Sequence, residues 1–146
     1  MTHPMLGRAT PVHFAMVDLA AWGERPGAPP WSGEPEDWGY LTGTDALPLI
    51  LRGRVDLILI CGLDFEFSLH DWRTYLRKAS LSPNADDFGY GHSYSAGGVD
   101  RIVEAGITQP GRRALEDLAH EAWDRHVESL SIEQQERLTR PLLPSA

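Results

Sequence analysis

Three histidines in this chain are candidates for moving protons: His70, His92 and His120. Histidine titrates near neutral pH, so its ring can act as a general acid or base under physiological conditions. His92 is followed by Ser93 and Ser95, an order in which a histidine could activate a serine hydroxyl as a nucleophile. Residues this close in sequence seldom reach that geometry, and the surrounding glycines and hydroxyls are also typical of a turn. These residues indicate no particular reaction, so whether the protein is an enzyme stays open.

A second candidate is the face formed by His120, Asp124 and Glu128, which recur every four residues along a predicted helix. Side chains at this spacing lie side by side and could bind a metal ion or relay a proton. The helix motif of zinc proteases carries its second histidine four residues after the first, and here His126 lies on a different face. A solvated acidic face is the simpler interpretation, so we predict no metal site and no cofactor.

The composition is typical of one globular domain with an acidic surface. The chain has 146 residues and a formal charge of -8, the wrong sign for holding nucleic acid by bulk electrostatics. The N-terminus shows no secretory signal pattern, and no apolar run reaches the ~20 residues of a membrane span. The lone Cys61 lies in an apolar run and is expected to be a small buried hydrophobic residue. We therefore expect a cytoplasmic protein without a membrane partner.

Helical patterns dominate the chain from residue 45 onwards. Apolar residues from Leu47 to Leu59 recur at helical spacing and Gly62 would end that helix, although Val55–Gly62 alone would also suit a buried strand. Capping and apolar patterns predict further helices: one from Ser68 to Ala79, a short one from Ser82 to Phe88, one capped by Ser95 and ended by Gly106, one from Pro110 to Leu130, and a last one opened by Ser131 and Gln134 and ended before Pro141. The predicted fold class is mainly α.

Residues 1–44 form a different segment, rich in proline, glycine and tryptophan. Such a composition is typical of irregular structure, and the aromatic residues would let it dock on the main body or on a partner chain. Val12–Ala21 is apolar enough for a strand or a short helix. Trp31, Trp38 and Tyr40 could cap a pocket as a lid, although arm packing in a dimer is the more frequent arrangement. We divide the chain into an N-terminal arm or lid, 1–44, and a helical domain, 45–146.

Several stretches of the helical domain resemble MarR-type winged-helix regulators. Ile107–Leu115 (ITQPGRRAL) and Leu130–Leu138 (LSIEQQERL) are similar to the motifs that open the two last helices of that family. Ser68–Arg73 (SLHDWR) resembles the helix before the helix-turn-helix, and Val99–Ile107 (VDRIVEAGI) resembles the end of the recognition helix. The resemblance covers roughly residues 46 to 143, and it implies a homodimer with a winged helix-turn-helix body.

Two departures from the family pattern bear on DNA binding. The basic β-hairpin wing that separates the recognition helix from the long dimerisation helix is reduced or absent, because Gly106 is followed almost directly by Gly111 and Arg112. The stretch from Ala79 to Asp100 contains no lysine or arginine. Cations and polar side chains make the contacts to DNA, which leaves few candidates here. They are Ser93, Tyr94, Ser95 and Arg101, with His92 beside them.

The resemblance also implies a ligand pocket between the dimerisation helices and the helix-turn-helix lobe, near the helix from Ser68 to Ala79. Trp72 and Tyr75 would line it, with His70 or Arg73 as the polar contacts that orient a ligand. Trp123 on the long helix joins this set. Core packing of the aromatic residues and a solvated position of the polar ones are the alternative.

The sequence thus predicts a MarR-like protein that binds a small aromatic or hydrophobic molecule, with DNA binding weakened or lost. Such a protein could have been repurposed as an enzyme or a binding protein of a metabolic pathway. One alternative is a ligand-responsive transcriptional regulator that still binds DNA. A second is an inhibitor that forms heterodimers with a complete relative. The expected partners are a small-molecule ligand and a second copy of the chain.

Overall fold

The computed structural model describes residues 11–29, 34–79 and 96–139, which are mainly helical and include one small antiparallel sheet. The helices are α1 Pro11–Leu19, α2 Gly43–Cys61, α3 Leu69–Ala79, α4 Ala96–Ile107, α5 Arg112–Glu128 and α6 Ile132–Leu138. Strands β1 Trp22–Glu24 and β2 Trp38–Tyr40 lie between α1 and α2, and a 3-10 turn at Pro35–Asp37 precedes β2. The mainly helical class predicted from the sequence is therefore confirmed.

The segment Val12–Ala21, which the sequence left between strand and helix, is helical as far as Leu19 and ends in a turn at Ala20 and Ala21. Its buried residues lie in the core. Helix α1 crosses α2 so closely at Gly53 that a Cβ atom there would lie 2.6 Å from the backbone nitrogen of Leu19 and 2.9 Å from the carbonyl oxygen of Ala15. Only glycine allows two backbones this near each other. The N-terminal region thus supplies a core helix, and of the two alternatives left open for Val12–Ala21 the helix is the one the structure adopts.

The two strands form a short hairpin that follows α1. Trp22 pairs with Tyr40, Gly23 with Gly39 and Glu24 with Trp38. The rings of Trp22 and Tyr40 meet edge to face, with centroids 5.0 Å apart, which stabilises a pair of this kind across neighbouring strands. This hairpin belongs to the part of the chain that the sequence described as irregular, and its three-residue strands are too short to give a clear alternating pattern.

Helix α2 resolves the ambiguity of Val55–Gly62 in favour of a helix. The helix runs to Cys61, and Gly62 closes it in the left-handed conformation, at φ 73°, with its amide donating to the carbonyl of Ile58 at 2.8 Å. The predicted glycine stop is confirmed. The branched residues of this run are buried against α1 and α5, so tertiary packing rather than strand propensity decides their conformation.

The predicted starts of α3 and α6 are also confirmed. At α3, the hydroxyl of Ser68 accepts from the Asp71 amide at 3.2 Å. At α6, Ser131 accepts from the Gln134 amide, and the Gln134 side chain reaches back to the Ser131 backbone, which completes a capping box. The long helix, predicted over 110–130, occupies Arg112–Glu128.

Helix α4 does not end at Gly106, and that prediction is wrong. The helix continues to Ile107, and Gly106 is buried within it. A Cβ atom at Gly106 would lie 3.2 Å from Leu69 Cδ1 and 3.3 Å from Ala20 Cβ, so the glycine serves close packing rather than a helix stop. Four residues, 108–111, connect α4 to α5 without a strand, as the absence of a wing requires.

The short helix predicted at Ser82–Phe88 and the cap at Ser95 lie outside the described residues. Across the described ranges, none of the helices combines the length and apolar character needed to cross a membrane.

Candidate functional site

Trp72 and Tyr75, predicted to line a ligand pocket, lie instead against the core. Trp72 is fully buried, and its indole Nε1 donates to the backbone carbonyl of Glu66 at 2.9 Å. The ring of Phe65 packs edge-on against Trp72 at 4.9 Å and lies 5.4 Å from the ring of Tyr75. Tyr75 is half-buried, and burial raises the pKa of its phenol. These contacts give both aromatic residues a structural role.

The two polar residues assigned to the same pocket, His70 and Arg73, lie in different environments. His70 is exposed and lies 3.3 Å from the carboxylate of its neighbour Asp71. Arg73 faces α4, where its guanidinium holds both carboxylate oxygens of Asp100 at 2.8 and 2.9 Å and reaches Glu104 at 3.2 Å. The structure therefore does not gather His70 and Arg73 around one concavity.

Trp123 packs against a buried cation. The Arg54 guanidinium lies 3.8 Å from the centroid of the Trp123 ring and 4.8 Å from that of Phe67. The same guanidinium binds both carboxylate oxygens of Asp64, at 3.1 and 2.8 Å. A buried arginine is stable only when its charge and its donors are matched in this way. One edge of Trp123 also lines a shallow cleft with Asp124.

His120 lies on the surface beside aromatic and acidic neighbours. Its ring packs edge-on to Phe67 at 4.9 Å, and its Nδ1 lies 3.9 Å from a carboxylate oxygen of Glu66. In the ranges that the structure describes, no group of three or more histidine, cysteine, aspartate or glutamate side chains could hold a metal ion. Arg101 is exposed on α4. The remaining candidates, His92, Ser93, Tyr94 and Ser95, lie outside the described residues.

Cys61 is half-buried at the end of α2, where burial raises the pKa of its thiol to about 12. The thiolate is the reactive form of cysteine. At pH 8 we expect iodoacetamide to alkylate Cys61 roughly a thousandfold more slowly in the folded protein than in the urea-unfolded chain, where its pKa is near 9.0. Mass spectrometry over time measures both rates, and similar rates would show that the thiol is accessible and ordinary. Because folding raises the pKa of the thiol, the protonated thiol contributes to the free energy of unfolding. That contribution is complete below pH 9 and is lost as the pH rises towards 12.

An apolar concavity lies elsewhere, between the hairpin and the connection from α4 to α5. It has a volume of 320 Å³. Its walls come from the end of α1, from β2 with the start of α2, and from the α4–α5 connection with the first turns of α5. We call it the hairpin cavity. Its lining residues are Ala20, Ala21, Tyr40, Leu41, Thr42, Gly43, Gly106, Gln109, Pro110, Gly111, Arg112, Ala114, Leu115 and Leu118.

Tyr40 fixes one wall of the hairpin cavity. Its hydroxyl donates to the backbone carbonyl of Ile102 at 2.6 Å, and burial raises its pKa. Gly106 lies beside this ring, because a Cβ atom there would be in van der Waals contact with Tyr40 Cε1 at 3.5 Å. Tyr40, which the sequence suggested as part of a lid, lies in the wall of this cavity. Trp38 is buried and does not line the cavity, and Trp31 lies outside the described residues.

Arg112 lies in the floor of the hairpin cavity and joins three parts of the chain. Its guanidinium donates to the carbonyl of Leu19 at 2.7 Å, to the carbonyl of Phe67 at 2.9 Å and to the carboxylate of Glu116 at 2.8 Å. The Leu19 carbonyl is at the end of α1, where the last carbonyls of a helix lack intrahelical partners. Burial lowers the pKa of Arg112, and the Glu116 carboxylate opposes that change.

The hairpin cavity is suited to binding rather than to proton transfer. Among the described residues that line it, Arg112 alone carries a charge, and that charge is paired with Glu116. Thr42 and Gln109 add polar side chains at the rim, while Leu118 is partly exposed. Apolar walls with a few polar groups are the usual features of a small-molecule site. Sequence patterns single out neither Arg112 nor Ala20 for this role, because the cavity is assembled from segments distant along the chain.

Comparisons with the models of known protein families, with curated proteins and with solved structures find no match to this chain. The resemblance to MarR-type regulators therefore stays a prediction from the sequence.

Proposed function

We propose that this protein binds a small, largely apolar molecule in the hairpin cavity. The observation that carries the proposal is a 320 Å³ concavity with mostly apolar walls. Arg112, the one charged residue in its described lining, already donates to two backbone carbonyls and to the Glu116 carboxylate. A ligand there gains by removing apolar surface from water and need not compensate a free charge. An aromatic or aliphatic compound without a strong charge fits these walls.

The proposed origin is a MarR-type fold that has lost its wing. The sequence motifs support this origin, and the four-residue connection between α4 and α5 has no space for a β-hairpin. The ligand site differs from the one that the resemblance implies, since it lies beside the start of α5 rather than along α3. The proposal includes a homodimer, which the resemblance to MarR-type regulators implies.

Weakened DNA binding is part of the proposal. Helix α4, which corresponds to the recognition helix in the resemblance, presents the single cation Arg101 in its described part. The carboxylates of Asp100 and Glu104 flank it, and they are held by Arg73. Duplex DNA attracts proteins through cations facing its phosphates, and this surface offers few. Salt-sensitive binding to the promoter of its own gene would favour the alternative of a DNA-binding regulator.

Filling the hairpin cavity tests the proposal. Ala114 lies on its wall and is exposed, so Ala114→Trp places an indole in the cavity without disturbing the core. With the neutral fluorescent probe N-phenyl-1-naphthylamine, we expect the variant to bind roughly tenfold or more weakly than the wild type, because apolar pockets discriminate steeply by size. Fluorescence titration measures the affinity.

Ala105→Trp is the matched control, since Ala105 is also an exposed helical alanine but does not line the cavity. It should bind the probe as the wild type does. Equal affinity of Ala114→Trp and wild type would place the probe elsewhere and would refute the proposed site.

A further inference from the structure

A second groove lies on the other side of α2, between this helix and the ends of α5 and α6. It has a volume of 580 Å³. The side chains of Leu47, Leu51 and Val55 follow one another along its floor at four-residue spacing, which extends over about 12 Å of helix. Leu130, in the connection between α5 and α6, also lines the groove. We call this concavity the α2 groove.

Two charged side chains line the α2 groove, Arg52 and Asp56, and a third, Asp18, pairs with Arg52. Arg52 binds both carboxylate oxygens of Asp18, at 2.9 and 3.1 Å. Asp56, one turn further along α2, is half-buried and makes no hydrogen bond or ion pair with any described residue. The hydrogen bonds of Arg52 go to Asp18, and Arg52 acts on Asp56 as a nearby charge. The three side chains together keep one formal negative charge, which we place at Asp56.

The other polar residues at the α2 groove do not balance this charge. His126 from α5 lines the groove, and burial lowers the pKa of its ring, which keeps it neutral at pH 7. Gln134 from α6 and Thr44 from the start of α2 are uncharged. Burial and the neighbouring Asp18 raise the pKa of Asp56, whereas Arg52 lowers it. A half-buried carboxylate in apolar surroundings is costly unless a cation accompanies it.

We propose that the α2 groove binds a small amphiphilic amine, with its ammonium group at Asp56 and its apolar chain along Leu47, Leu51 and Val55. The ammonium group supplies hydrogen-bond donors and the positive charge that balances the Asp56 carboxylate. Hydrogen bonds between charged groups are stronger than those between neutral ones. The chain is removed from water by the apolar floor. This site is separate from the hairpin cavity and does not rest on its occupancy.

Three eight-carbon probes test the proposal: octylamine, octanoate and octanol, each used below its aggregation concentration at pH 7. We expect the wild-type protein to bind octylammonium more tightly than octanoate in calorimetric titrations. Asp56→Asn keeps the shape of the side chain and removes its charge. It should weaken octylammonium binding roughly tenfold and leave octanol binding unchanged.

Asp117→Asn is the matched control, because it removes one exposed carboxylate outside the α2 groove and changes the net charge equally. It should bind octylammonium as the wild type does. Equal binding of octylammonium by Asp56→Asn and wild type would overturn the proposal, and so would a preference of the wild type for octanoate. If Ala114→Trp rather than Asp56→Asn removed octylammonium binding, the amine would occupy the hairpin cavity and the α2 groove would be refuted as its site.

Discussion

Replacing Trp72 with alanine is expected to lower the free energy of unfolding by about 3–5 kcal/mol, the range observed when large core aromatics are truncated. The indole is fully buried, packs against Phe65 and donates to the carbonyl of Glu66. The variant leaves a cavity in the core and a carbonyl without its donor. Urea denaturation followed by circular dichroism measures the change.

Trp72→Phe separates the two contributions, since it keeps an aromatic ring and loses the hydrogen bond to Glu66. We expect it to cost less than half as much as the alanine variant. The exposed Leu118 provides a control, because Leu118→Ala should have only a small effect. If Trp72→Ala lowered the free energy of unfolding by less than about 1 kcal/mol, the core position of Trp72 would be contradicted. Trp72 would then again be a candidate ligand contact.

Local signals in the sequence predict the helices well. The stop at Gly62 and the caps at Ser68 and Ser131 depend on residues close together in the chain, and each has the geometry expected of it. The capping residues act through hydrogen bonds within one turn, which makes them visible in a single sequence.

Packing between distant segments accounts for the errors. Gly106 is the kind of residue that often stops a helix, yet it lies inside α4, where Leu69 and Ala20 leave little space for a side chain. Gly53 brings α1 against α2 in the same way. Neither contact can be inferred from neighbours in sequence, because the residue type alone does not distinguish a glycine needed for close packing from one needed for a turn.

The candidate site was harder to predict than the fold. An aromatic residue on a helix suits a ligand pocket and a core equally well, and Trp72 belongs to the core. The walls of the hairpin cavity come from α1, β2 and α5, whose approach is set by tertiary packing. Among its lining residues, only Tyr40 was a candidate from its position in an aromatic segment.

Arg112 illustrates how tertiary contacts can override a local preference. It begins α5, where the positive end of the helix dipole disfavours a cation. Its place is explained by the carbonyls of Leu19 and Phe67, which its two terminal nitrogens reach in the protein interior. The side chain thus connects the end of α1, the segment before α3 and the start of α5.

We expect Arg112→Met to lower the free energy of unfolding by about 2–6 kcal/mol, because two buried carbonyls lose their donors and each unsatisfied group costs about 1–3 kcal/mol. Arg112→Lys should recover only part of the loss, since a single ammonium lacks the planar spread that reaches both carbonyls. The neighbouring Arg113 is exposed, so Arg113→Met should change stability by less than about 0.5 kcal/mol.

Equal unfolding midpoints in urea for Arg112→Met and Arg113→Met would show that Arg112 does not hold these segments together. A large difference would establish the guanidinium as the connection that shapes the floor of the hairpin cavity.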